Sequence, residues 1–359
     1  MASIKKYKTA KGTAWRVQYR SPDGKSRTKQ GFKTKDAASA WADRNAVMVR
    51  EGEWIDPALR KLTVGELGAR WLANQTHLKP STLRTTEQAW RVHVQPQWAH
   101  WQIGAVKPSD VQTWVSGIDR AGATVRRAHA CLAQILDVAV MDGMLKSNPA
   151  RGVTLPRKAK AKHVYLTAGQ VKMLADECSS NGELVWLLAT TGLRWGEAAA
   201  LRVEDVDFLR RRIRVERAAV TVGSDVHVGT PKTHEKRSVA VPAFVLDKLS
   251  PLCAGKLPGA LLWTARDGDF MKVPNHHTWY YYALDRVRRR ELEFPRVNIH
   301  GLRHVAAGLL VSQGANVKVV QRQLGHANAS MTLDVYADLF EGDLDAVGAS
   351  MDEAFRGVV

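Results

Sequence analysis

LGHANASMTLDVYAD, residues 324–338, places His326 ten positions ahead of Tyr336, and two further stretches decide what that pair can do. They are HGLRH at 300–304 and TGLRWGE at 191–197, which add His300, Arg303 and Arg194. Two guanidiniums, two imidazoles and a phenol suit the breaking of a phosphodiester. Arginine offers phosphate oxygens a planar, permanently charged fork of donors, so two arginines can hold both non-bridging oxygens of one phosphate. The tyrosine then supplies a nucleophilic oxygen. A phenol of pKa about 10 is mostly protonated at neutral pH, so attack needs a base or a cationic pocket that favours phenolate. His300 and the arginines offer both.

TGLRWGE follows the apolar run ELVWLLAT, and Thr190, Thr191 and Gly192 read as a break between two helices. Arg194 then starts the second helix, where free amides add to the attraction for an anion. Taken alone, Arg194 and Glu197 read as a solvated ion pair at i and i+3. With the other motifs they read as a phosphate clamp braced by Glu197. HGLRH puts His300 and Arg303 one helical turn apart. A rival reading pairs His300 with His304 as metal ligands, but the glutamate of H-E-x-x-H and a third ligand are missing. No metal and no nucleotide cofactor is expected.

The chain has 359 residues, a formal net charge of +18 and a pI near 10.0, which implies two or three domains and a polyanionic partner. Residues 1–35 hold eleven Lys or Arg and one acid, whereas the tail after Tyr336 holds six acids and one Arg. Cys131, Cys178 and Cys253 match neither a disulfide framework nor a CxxC metal site, which fits a reducing cytoplasm. MASIKKYKTAKG lacks the apolar core of a signal peptide, and runs such as LVWLLA fall short of the roughly 20 residues of a membrane span, so a soluble protein is expected.

A multidomain α+β chain is expected. In AWRVQYR, residues 14–20, Trp15, Val17 and Tyr19 alternate with polar residues; SPDGK turns, and a second strand runs to Phe32. Thr34 then caps a helix whose Ala37, Trp41 and Met48 are placed to cover the sheet. Residues 61–150 read as all-helical, in the segments VGELGARWLANQ, STLRTTEQAWRVHV, PSDVQTWVSGI and TVRRAHACLAQILDVAVMDG, each opened by Thr or Ser. Residues 151–164 read as a basic linker rather than a packed element. Residues 165–359 read as a mainly helical domain with a small antiparallel sheet between Arg211 and Pro242. Tyr280, Tyr281 and Tyr282 read as core residues with wet hydroxyls.

The order and local form of these motifs resemble the tyrosine recombinases, the phage-integrase family. The resemblance implies an arm-type DNA-binding domain at 1–60, a helical core-binding domain at 61–150 and a catalytic domain with a tail helix at 165–359. It implies Arg194, His300, Arg303 and His326 around the nucleophile Tyr336, with Glu197 and His304 in support. Gly301 and Val305 stand where the family often has Asp and Thr. VGTPKTHEKRSVAVP, residues 228–242, resembles the hairpin whose lysine protonates the leaving 5′ oxygen, which makes Lys232 the general acid and Lys236 the alternative. The implied activity is site-specific integration of a temperate phage or mobile element through a 3′-phosphotyrosyl intermediate, by a homotetramer on core and arm sites of double-stranded DNA. A host DNA-bending protein and an excisionase are the implied accessories. The alternatives are a chromosome- or plasmid-resolving recombinase, a type IB topoisomerase, and a non-catalytic DNA-binding regulator. In the tail, Phe340, Leu344, Val347, Met351 and Phe355 recur at helical spacing, which fits docking on a neighbouring subunit or packing on their own domain.

Overall fold

The computed structural model describes residues 2–10, 12–158, 163–230, 236–336, 339, 348 and 351–356. They fall into two compact units, Met1–Lys160 and Ala161–Val359.

The first unit opens with an antiparallel sheet in which β2 (Gly12–Arg20) lies between β1 (Ser3–Thr9) and β3 (Ser26–Phe32). The alternation in β2 reaches the structure directly, with Val17 fully buried and Tyr19 nearly so. β1 is a strand beyond the two read from the sequence; SIKKYKT carries too many lysines to look like one. That composition suits an edge, where charge deters pairing with other chains. Helix α1 (Lys35–Arg50) is capped by Thr34, whose hydroxyl accepts from Ala37 N at 3.1 Å. Its buried face is Ala38, Ala42 and Asn45; Ala37 is exposed, one position off the stripe expected. Trp41 does cover the sheet, edge-on to Tyr19 with ring centres 5.2 Å apart.

The rest of this unit is helical: α2 (Val64–Ala73), α3 (Pro80–Ala89), α4 (Gln95–Trp98), α5 (Pro108–Gly117) and α6 (Gly122–Met141), with α3 passing into α4 through a π-helical turn at Trp90–Val94. Thr63 caps α2 reciprocally with Glu66, the carboxylate accepting from Thr63 N at 2.8 Å and the hydroxyl from Glu66 N at 3.2 Å. The Thr/Ser rule stops there. α3 and α5 open on proline, which has no N–H to satisfy at that position, and α6 has no side-chain cap. Leu67, Trp90, Trp98, Leu132, Ile135 and Leu136 form the core. The start of the supposed linker belongs to it: Val153 and Leu155 pack on that core, Arg151 pairs with Asp137, and the Gln112 side chain exchanges two hydrogen bonds with the Thr154 backbone.

The second unit runs α7 (Ala168–Glu177), α8 (Gly182–Thr191), α9 (Trp195–Ala199), β4 (Val206–Asp207), β5 (Arg212–Val215), β6 (Ala218–Val222), β7 (Asp225–Gly229), β8 (Arg237–Ala240), α10 (Ala243–Cys253), α11 (Trp279–Arg290), α12 (Leu302–Ser312), α13 (Val317–Leu324) and α14 (Ala329–Tyr336). Its strands make two antiparallel ladders where one sheet was expected: β4-β5-β8, and the β6-β7 hairpin turning at Gly223–Ser224. α8 is the central helix, with Leu184, Val185, Leu187, Leu188 and Ala189 all buried. Tyr280 is a core residue, but its hydroxyl donates to Val297 O at 3.2 Å instead of to water, and Tyr282 is exposed. Phe340, Leu344 and Val347 lie outside the described residues; Met351 and Phe355 are exposed. No helix among the described residues is long and apolar enough to cross a membrane.

Candidate active site

Helix α8 ends because Gly192 takes the left-handed conformation, φ +68°. This turns the chain so that Arg194 becomes the N-cap of α9, a helix of five residues. Any Cβ at Gly192 would stand 2.3 Å from Leu324 Cδ2, so the break is held by packing as well as by its backbone angle. α13 ends the same way at Gly325, φ +67°, which delivers His326 to the same region. The carbonyl of Gly325 accepts from Arg194 Nη2 at 3.4 Å. His300 sits in a short 3-10 turn, Ile299–Gly301, capped by the Asn298 side chain on Gly301 N; Arg303 and His304 follow in the first turn of α12. Tyr336 ends α14.

Glu197 organises the cationic side. Only 1% exposed, it accepts from Arg194 N (3.0 Å) and Arg194 Nη1 (2.9 Å), and from both terminal nitrogens of Arg237 (2.9 and 2.6 Å). Burial alone would raise its pKa, but the Arg237 hydrogen bonds and charge, followed by Arg194, hold it below the ordinary glutamate value. Arg237 comes from β8, so one carboxylate joins the strand after the hairpin to the arginine of TGLRWGE. Gln323 adds a second join, its side chain bridging Ala240 N and Ala240 O.

Arg303 is 4% exposed, and its Nη1 donates to Gly192 O at 2.7 Å. Its Nη2 is buried and has no hydrogen-bond partner among the described residues. Burial first, then the charge of Arg194, lowers its pKa to about 9, so it remains cationic at neutral pH. An unpaired buried guanidinium N–H is costly, and a water or an anion can supply the acceptor it lacks. Tyr336 is 1% exposed, and burial pushes its phenol up to about 12 against the lowering effect of Arg303. Its hydroxyl lies 2.8 Å from His304 Nδ1. The His326 ring is nearly parallel to the Tyr336 ring at 6.3 Å, and its Nδ1 meets Thr332 Oγ1 at 2.9 Å. Burial drops both His304 and His326 to about 4, helped at His304 by the neighbouring imidazoles and Arg303 and at His326 by Arg303, Arg194 and Arg237, so each is neutral at pH 7.

Arg194, Arg303, His304, His326 and Tyr336 thus come together from stretches more than a hundred residues apart. His300 joins them edge-on to His304, ring centres 5.8 Å apart. Lys232 lies outside the described residues. Lys236 is exposed and paired with Glu216 at 3.1 Å. Among the described residues no group of three or more His, Cys, Asp or Glu side chains is arranged to hold a metal ion. Sequence reasoning missed His163, whose ring stacks on His304 at 4.0 Å and lies 6.1 Å from the Tyr336 ring. Nothing in AKHVY marks that histidine. It also missed Arg237, although RSVAVP follows the hairpin closely enough to have suggested it.

The model of the phage integrase family matches residues 164–342, and that of the phage integrase N-terminal SAM-like domain matches residues 63–118. The integrase of Mycobacterium phage D29 is 29% identical over 315 residues, covering 82% of this chain and 82% of its own length. Among solved structures, the Tn1549 transposon integrase in complex with a circular intermediate DNA superposes with a TM-score of 0.69 at 21% identity, covering 80% of this chain and 99% of that one. A lambda integrase tetramer bound to a Holliday junction gives 0.57 at 16% identity, covering 90% and 96%.

Proposed function

Since the chain belongs to the phage integrase family of tyrosine recombinases, we propose that it integrates a temperate phage or other mobile element into a bacterial chromosome by cutting and rejoining double-stranded DNA at specific sites. The observation that carries the chemistry is the Arg303 guanidinium, buried, tied on one side to Gly192 O and unpaired on the other. A scissile phosphate supplies the missing acceptor. Arg194, held by Glu197, takes a second non-bridging oxygen, and His300 and His326 flank the same phosphate. Preorganised donors of this kind contribute about a hundred- to thousandfold each in rate.

Tyr336 Oη attacks phosphorus, the bond to the 5′ oxygen breaks, and a 3′-phosphotyrosyl link remains. The departing oxygen takes a proton from the hairpin lysine, Lys232 by family resemblance, and becomes a 5′-hydroxyl. That hydroxyl later attacks the equivalent link on a partner duplex. One phosphoester replaces another, so the bond energy is kept and no nucleotide cofactor is needed. The net charge of +18 supports binding to the duplex through counterion release. The lysine-rich sheet of residues 1–60 is proposed to bind arm sites and residues 61–150 core sites. A tetramer acting in the bacterial cytoplasm, aided by a DNA-bending protein and an excisionase, completes the reading.

Tyr336→Phe tests it. The variant should keep site-specific binding while losing both recombination and the covalent complex trapped on nicked substrates. A covalent complex formed by Tyr336→Phe would remove Tyr336 from the mechanism.

A further inference from the structure

Four imidazoles, of His163, His300, His304 and His326, gather near one phenol whose proton must leave as its oxygen attacks phosphorus. His304 Nδ1 stands 2.8 Å from the Tyr336 hydroxyl. A neutral imidazole whose Nδ1 accepts that hydroxyl carries its own proton on Nε2. The His163 ring lies against the His304 ring, centre to centre 4.0 Å at an interplanar angle of 30°. His326 already spends its Nδ1 on Thr332 Oγ1, so it is not oriented to accept from the phenol through that atom.

Building on the recombinase reading, we propose that His304 takes the proton of Tyr336 as its oxygen attacks phosphorus, and that His163 is a positioning residue that fixes the His304 ring by stacking on it. The step balances. The Tyr336 O–H bond breaks and its proton goes to His304 Nδ1; an Oη–P bond forms as the bond from phosphorus to the 5′ oxygen breaks; that oxygen is protonated by the hairpin lysine. In rejoining, the incoming 5′-hydroxyl attacks phosphorus, Oη leaves, and the His304 imidazolium returns the proton.

The surroundings explain why this base works only with DNA in place. His304 faces His163 from the segment before α7, His300 from the 3-10 turn before α12, Arg303 from its own first turn of α12, Tyr336 from α14 and His326 from the turn after α13. Burial first, then the neighbouring imidazoles and Arg303, hold its pKa at about 4 in the DNA-free chain, too low for a strong base. A phosphate seated between Arg194 and Arg303 offsets that positive field and raises it, while the same arginines favour phenolate. Proton acceptance is therefore coupled to the arrival of the phosphate.

The test uses the full chain and a duplex selected for binding from a random-sequence pool, nicked so that cleavage traps the covalent complex. A second version carries sulfur in place of the scissile 5′ oxygen and so needs no proton at the leaving group. In His304→Asn the amide oxygen accepts the Tyr336 hydrogen bond but takes no proton. Cleavage should slow roughly a hundredfold on both substrates, and the acid limb of the rate profile should disappear. His163→Ala should slow cleavage and flatten that limb in part, and His163→Phe, which stacks without titrating, should restore the rate. His304→Asn cleaving within about threefold of wild type, or faster, overturns the proposal. So does rescue of His304→Asn by the sulfur substrate, which would place His304 at the leaving group. If His304→Asn does not fold, equal rates for His163→Ala, His163→Phe and wild type overturn the stacking role and with it the relay. Failure of the wild-type chain to form any covalent complex would instead sink the recombinase reading.

Discussion

Replacing Glu197 with glutamine should be among the most damaging single-atom changes in the chain. The carboxylate accepts from Arg194 N, Arg194 Nη1 and both terminal nitrogens of Arg237 while only 1% exposed. Glutamine offers one oxygen and turns an NH2 toward guanidinium donors, leaving Arg237, with its side chain 11% exposed, facing another donor. Breaking one member of a buried ion pair costs about 3–5 kcal/mol. At about 2–4 °C per kcal/mol for a domain of this size, the unfolding midpoint of the second unit should fall by about 6–20 °C. The penalty should depend on pH in a defined direction. Glu197 has a folded pKa below its unfolded value, so its stabilisation is complete above the ordinary glutamate range and is lost as pH falls through the folded value. Thermal and urea melts of wild type and Glu197→Gln, run from about pH 7 down through the glutamate range to about pH 3, should therefore draw together on acidification. An Arg237→Met partner completes a double-mutant cycle, in which the two losses should be far from additive. A penalty under about 1 kcal/mol at neutral pH, or one that stays constant into acid, would refute the view that one ionised carboxylate holds both arginines.

Arg303→Lys keeps the charge but cannot reach both Gly192 O and a phosphate; DNA binding should change little while single-turnover cleavage falls roughly a hundredfold, and undiminished cleavage would mean the fork is not used. A chain beginning at Lys61 should still cleave core-site DNA but lose integration that depends on arm sites, and isolated residues 1–60 should footprint a repeated sequence of their own. If the shortened chain integrates as well as the full one, the arm-binding role of residues 1–60 is wrong.

Legibility in the sequence followed the range of the forces involved. Thr34 and Thr63 announced their helices because capping is settled within four residues, and Val17 announced its strand because alternation is local. β1 was hidden because its apolar content is too low, its register being set by pairing with β2. The motif residues around Tyr336 could be named from spacing, but two features of their surroundings could not. The grip of Arg237 on Glu197 spans forty residues, and the stacking of His163 on His304 far more; neither leaves a periodic trace. Val153 and Leu155 were misjudged because a linker and an extended segment lying on a core share the same composition.

Gly192 carries a consequence for anyone building chimaeras from this chain. Its carbonyl holds Arg303, and the space its missing side chain leaves is filled by Leu324 Cδ2 at 2.3 Å and flanked by Ala306 Cβ at 3.4 Å from where a Cβ would sit. Three segments distant in sequence therefore interlock at one point. A block such as 190–197 cannot be exchanged for a relative's version by itself; the grafted turn would meet a leucine shaped for a different neighbour. Crossover points for shuffling should keep residues 190–197, 302–307 and 323–326 from a single parent.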